Sequence, residues 1–188
     1  MNIWFTADLH LFHANIIKFC NRPFKSMEEM DSVLIKNWNS RVKGEDTVFV
    51  IGDFIFTNSP GGKPGEGEKV NVPDIISQLN GNKIFIVGNH DKNNHINSHI
   101  QKLVLDYGGG KMNLVHDPEY ADYRYSINLT GHTHEKWEIK RYRYGELFTD
   151  CINVGVDVWG FSPVNWKEIN KRYAKWLKIN GIPSKFGI

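Results

Sequence analysis

The 188-residue chain has only two cysteines, Cys20 and Cys151, far apart and without Cys-x-x-Cys spacing. That excludes a disulfide scaffold and a thiolate zinc site, and it predicts a reducing, cytoplasmic setting. No apolar stretch reaches the roughly 20 residues a membrane-spanning helix needs, and Asp8 falls where a secretory leader would carry its apolar run. No membrane partner is expected. Neither sign of charge dominates: 23 Lys plus Arg against 21 Asp plus Glu leaves a formal charge of +2. A protein living by many phosphate-backbone contacts is usually far more basic, so nucleic acid is a partner the composition allows without favouring. A phosphate-binding P-loop is also absent, because Lys69 is followed by Val70 rather than Ser or Thr. No repeat or linker divides the chain, and its length suits one sizeable core. A single domain over residues 1–188 is expected.

What is present is a series of short apolar runs rich in β-branched and aromatic residues: 3–5, 47–51, 83–87, 112–115, 125–129 and 151–154. Near-continuous apolar character over so few residues predicts strands buried on both faces. Helical patterns lie between them. Ser26 with Glu29 makes a capping signature ahead of Met30, Val33, Leu34, Trp38 and Val42, and Asn165 with Glu168 repeats it ahead of Trp166, Ile169, Tyr173, Trp176 and Leu177. Two further helices are predicted, over 74–79, stopped by Gly81, and over 95–105, ending before Gly108-Gly109-Gly110. Alternating strands and helices indicate an α/β layered domain, and the strand-rich second half suggests mixed or stacked sheets. Residues 57–71 hold many Gly and Pro and almost nothing apolar; they read as a long surface loop or as a lid near a site.

The apolar runs end in polar sets. Asp8-Leu9-His10 follows the first, Gly52-Asp53 the second, Gly88-Asn89-His90-Asp91 the third, His116 the fourth and Gly131-His132-Thr133-His134 the fifth. Ligands of open α/β sheets bind in the crevice beyond the strand ends, so these sets can converge despite their separation in sequence. In extended backbone, residues two apart face the same way, which would pair Asp8 with His10 and His132 with His134. Singly, each set is as well explained by a turn or a hydrogen-bonded core histidine. Jointly, their common placement is the informative feature.

In that order the sets resemble the calcineurin-like metallophosphoesterase superfamily over roughly residues 1–158, and residues 4–17 and 152–157 are similar to its small stand-alone bacterial and phage members. The resemblance implies a four-layer αββα sandwich, two mixed β-sheets flanked by helices. It also implies that Asp8, His10, Asp53 and His134 hold one divalent metal, that Asp53, Asn89, His116 and His132 hold a second, and that His90 is catalytic. Asp91 is either a partner that favours charged His90 or a turn-stabilising residue. A ligand set of imidazoles and carboxylates without thiolate suits Mn, Fe, Co, Ni or Zn better than Mg or Ca, and manganese is the favoured ion by resemblance.

The expected function is metal-dependent hydrolysis of phosphate esters by a hydroxide held between the two ions, with His90 protonating the leaving oxygen. Phosphodiesters are slightly favoured, nucleotide-type substrates included. Phosphomonoesterase, nuclease and a non-catalytic scaffold remain alternatives. Three residues are candidate phosphate contacts: His13, which otherwise caps the next turn, Arg22 and Arg124. His95 and His99 read as surface or packing residues. Tyr142 with Arg141 and Arg143 reads either as a stacking patch for nucleotides or as the solvated face of a strand.

Overall fold

The computed structural model describes residues 1–57 and 70–183. Of the 57–71 segment, all but the ends lies outside the described residues. The first sheet is built from β1 (Ile3–Thr6), β2 (Thr47–Ile51), β3 (Asn82–Ile86) and β9 (Val164–Asn165), in the order β3-β2-β1-β9. The first three are parallel and β9 is antiparallel to β1. The second comprises β4 (Lys102–Tyr107), β5 (Gly110–Val115), β6 (Ile127–Thr130), β7 (Ile139–Tyr144) and β8 (Leu147–Asn153), in the order β4-β5-β6-β8-β7. Its three inner strands are parallel and its two edges antiparallel. Two mixed sheets flanked by helices is the expected architecture.

Burial on both faces explains the apolar runs of β1, β2, β5, β6 and β8, whereas β3, at the edge of its sheet, is mostly half-buried. In β2, Val48 and Val50 face a core shared with α1 (Ala14–Phe19), α2 (Met27–Arg41) and α3 (Val72–Ser77), through Ile16, Met30, Leu34, Trp38 and Ile75. Phe49 and Ile51 face a second core between the sheets, with Phe5, Met112, Leu114, Ile127, Leu129 and Ile152. Ile169, Tyr173 and Leu177 of α4 (Trp166–Ile179) join this second core. Both predicted caps form: Ser26 Oγ accepts from the Glu29 N–H, and Asn165 with Glu168 completes a reciprocal capping box. Each is worth about 1 kcal/mol to its helix. The outer face of the second sheet is polar, with Asn113, Asn128 and Thr149 hydrogen-bonded in a row beneath the 117–126 segment. Among the described residues no helix is long and apolar enough to cross a membrane.

The predicted helix over 95–105 does not form. From Lys102 onward the burial alternates residue by residue, and Tyr107 pairs with Gly110 across a two-residue turn in which Gly108 and Gly109 both have positive φ. The glycines read as a helix stop make a hairpin turn, which positive φ at both central positions favours. A second hairpin joins β7 to β8 through Gly145 (φ 59°), and β8 begins at Leu147 rather than 151. Helix α3 starts two residues earlier than its pattern suggests, with Pro73 in its first turn.

Candidate metal centre

The backbone that carries the candidate ligands is unusual. Asp8, His10, Asp53, His132 and His134 all have φ between 49° and 69°, a region that few non-glycine residues enter and that Asp and His enter more readily than most. Neither the Asp8/His10 pair nor the His132/His134 pair lies in a strand; β1 ends at Thr6 and β6 at Thr130. The expected strand periodicity is therefore not what aims these side chains. Left-handed turns just past the strand ends do so, and strain of this kind concentrates at functional sites. Glycine permits the close approach: a Cβ at Gly88 would collide with Asp53 Oδ1, and one at Gly52 with the His116 ring.

Asp53 sits at the middle. Its Oδ2 lies 3.5 Å from His10 Nε2, 3.4 Å from His116 Nε2 and 4.0 Å from His90 Nε2. Donor atoms of Asp8, His10 and His134 fall within 4.8 Å of one another, as do those of Asp8, Asp53 and His116. On the far side, Asn89 Oδ1 is 3.0 Å from both His116 Nε2 and His132 Nδ1. The five polar sets of the sequence thus meet in one place.

Hydrogen bonds fix the ring orientations. His116 Nδ1 lies 2.9 Å from the Ile51 carbonyl, which turns its Nε2 toward Asn89 and Asp53, and His134 Nδ1 lies 3.0 Å from Asp157 Oδ2. Both Asp8 oxygens accept from the His132 N–H, at 3.0 and 2.9 Å. His10 Nε2, beside Asp53, is buried without a hydrogen-bond partner among the described residues. An orphaned imidazole nitrogen between carboxylates is costly unless a cation takes its lone pair. That atom and a nitrogen-and-oxygen donor set without thiolate fit a divalent transition metal.

The electrostatics agree. Burial disfavours the charged form of His116, but the hydrogen bond to Asp53 and the charges of Asp8 and Asp53 win and raise it to about 9. Partial burial also works against the charged form of His134, but its bonds to Asp157 and Cys20 and the charge of Asp8 raise it to about 10. Burial raises Asp8; it works the same way on Asp53, yet the bond to His116 and the charges of His116 and His10 hold Asp53 low. Burial pulls His10 well below its ordinary value. Protons thus collect on two imidazoles where a cation would neutralise the same carboxylates.

Several expected roles change. Arg22 is fully buried: Nε and Nη2 hold Asp157 at 2.8 and 3.0 Å, while Nη1 and Nη2 donate to the carbonyls of Leu9 and Asp8 and Nη1 also meets Met30 Sδ. All five of its N–H groups are engaged, so it has none for a phosphate. Asp91 does not partner His90. Its carboxylate accepts from the backbone N–H groups of Asp53, Phe54 and Gly88, and so clamps together the two loops that carry Asp53 and Asn89. Arg124 is exposed and folds onto Asp122 and Tyr125. His13 makes no cap; its ring stacks on Phe56 at 4.3 Å and its Nδ1 lies 3.2 Å from His10 Nδ1, with burial and the His90 and Arg22 charges pulling it down to about 4. Arg141 is no solvated residue but grips Asp150.

His90 stands apart from the buried set. Its side chain is 41% exposed at the mouth, edge-on to Phe56, while its N–H donates to Asp53 Oδ1 and its carbonyl accepts from Asn94. The residue that sequence reasoning missed is Asp157, which orients His134 and anchors Arg22. Its one signal was its place at the end of the 152–157 stretch, beyond β8. Cys20 also lies within 4.8 Å of His134 and Asp157 donor atoms, although Asp157 is already shared between His134 and Arg22.

Two mixed sheets with an Asp and His cluster beyond their strand ends, able to hold metal, define the class of this protein. Residues 1–182 match the family described as calcineurin-like phosphoesterase, and the chain belongs to that family. It is 36% identical over 185 residues to "Uncharacterized protein MJ1445" of Methanocaldococcus jannaschii, covering 96% of each chain. It is 29% identical to "Gene 66 protein" of Mycobacterium phage L5, over 85% of this chain and 88% of that one. In structure it resembles the protein of unknown function AQ665 from Aquifex aeolicus, with a TM-score of 0.64, 22% identity, and coverage of 91% and 98%.

Proposed function

We propose that the chain hydrolyses phosphate esters with two divalent ions, manganese favoured, and that phosphodiesters are its preferred substrates. The observation that carries this reading is the single Asp53 carboxylate set between His10 on one side and His116 on the other. Asp8, His10, Asp53 and His134 would hold one ion, and Asp53, Asn89, His116 and His132 the other. Bound divalent ions would supply Lewis acidity toward the phosphoryl oxygens and an acidified water as nucleophile. Asp8 and Asp53 bring two negative charges, while Asn89 and the four imidazoles are neutral donors, so the loaded centre stays positive toward an anionic ester. Asp91 and Asp157 keep the donors in place: Asp91 through the backbone of both loops, Asp157 through His134.

His90 is the residue placed to move a proton. Its side chain is 41% exposed, its backbone N–H anchors it to Asp53 Oδ1, and its Nε2 lies 4.0 Å from Asp53 Oδ2, which places the ring beside the centre where it can meet a leaving oxygen. The near-neutral formal charge supports small substrates over long nucleic acids. Incubation with Mn2+ and bis-p-nitrophenyl or p-nitrophenyl phosphate tests the activity, and failure to turn over either ester with any transition metal would remove it. In the same assay His90→Ala is expected to lose 10²- to 10⁴-fold in kcat, about the worth of a positioned acid, while binding metal as before. Equal loss of metal would mean that His90 is a ligand.

A further inference from the structure

We infer that the organic arm of the substrate is a nucleoside, seated in a cleft that opens from the Asn89 and His116 side of the centre; this rests on the phosphoesterase reading above. The cleft lies beyond the ends of β3 and β5, has a volume of about 440 Å3, and has Asn89 and His116 in its wall. Cavities of about 300–1,000 Å3 hold whole organic ligands, and a phosphoryl group alone would fill little of this one. Another cavity, about 560 Å3 beneath α4, is lined by residues such as Trp159, Lys171 and Arg172, none of them part of the candidate centre.

The lining chemistry selects the occupant. Val87 and Val115 provide apolar surface, and Tyr120, a residue 63% exposed, adds an aromatic ring to the lining. Gln101 and Lys102, both exposed, bring an amide and an ammonium to the same cleft. An apolar slot with an aromatic ring suits a flat group, and amide and ammonium groups beside it serve ring nitrogens and carbonyl oxygens, which a nucleobase has on its edge and a phenyl or alkyl arm lacks. The platform is braced before any ligand arrives. Asp117 Oδ1 accepts from the Glu119 N–H at 2.9 Å and the Asp117 carbonyl accepts from the Tyr120 N–H at 3.0 Å. Lys102 is held in register opposite Val115, the residue before His116.

Calorimetric titration of the purified chain, with Mn2+ and with chelator, compares AMP with ribose 5-phosphate and O-phosphotyrosine. AMP is expected to bind tighter than ribose 5-phosphate by about 5- to 150-fold, the range that one base stacked on an aromatic side chain provides. Tyr120→Ala should erase that advantage and Tyr120→Phe should keep it, neither touching a ligand of the centre. Absence of AMP binding, equal binding of AMP and ribose 5-phosphate, phosphotyrosine matching AMP, or an advantage undiminished in Tyr120→Ala would each overturn the inference. Turnover of the aryl phosphates is read separately. Loss of turnover with the AMP preference intact removes the enzymatic reading alone; turnover without the preference removes the nucleoside alone.

Discussion

Replacing Arg22 by Met separates its structural from its substrate-binding reading. Methionine keeps much of the stem and removes the charge, leaving Asp157 buried with His134 as its remaining partner and the Leu9 and Asp8 carbonyls without their donor. Removing one member of a buried ion pair costs about 3–5 kcal/mol, because the other charge stays behind uncompensated. For a chain of this length that corresponds to about 6 to 20 °C in Tm. Thermal and urea unfolding of the wild type, Arg22→Met and Arg22→Lys provide the measurement. Lysine restores charge but not the five-donor fork, so it should recover only part of the loss. A loss below about 1 kcal/mol, together with a raised KM for an aryl phosphate, would refute the reasoning and return Arg22 to the substrate.

Two further outcomes follow from the same geometry. Asp157→Asn should weaken metal binding about 10- to 100-fold, the usual cost of losing a partner that orients a ligand histidine; an unchanged titration would show that Asp157 does not set the His134 ring. The metal-free protein should lose stability as pH rises from about 6.5 to 10. His116 and His134 are raised in the fold from 6.5 to about 9 and about 10, so their imidazolium contribution is complete below the unfolded value and vanishes as each loses its proton. Burial lowers His10 and His13 instead, and for these stability grows as pH climbs toward 6.5, below that window. Urea midpoints in chelator at pH 6.5 and 9.5 check this, and a flat or rising profile would contradict it.

Much of the fold was legible because its physical signals are local. Strands β1 and β2 announced themselves as apolar runs since both of their faces are buried, and the Ser26 and Asn165 caps stand three residues from their partners. The stretch from 95 to 107 was not legible. Ile96, Ile100, Leu103 and Val104 recur at helical spacing, and pairing with β5 is what makes 102–107 a strand. The candidate ligands were legible as types and as positions after strands, while the reason for their aim was not: left-handed backbone at five of them cannot be inferred from strand periodicity.

By itself, then, the sequence determined which chemistry the chain carries, because Asp, Asn and His past the end of each apolar run are specified residue by residue. The tertiary structure alone decided how the polar residues divide the work. Arg22, Asp91 and Asp157 are ionic in sequence and look equally available to a substrate. Whether a carboxylate meets a ligand, a backbone N–H or a guanidinium depends on what burial brings within about 3 Å, and the neighbours that decide it lie as far as 135 residues away along the chain.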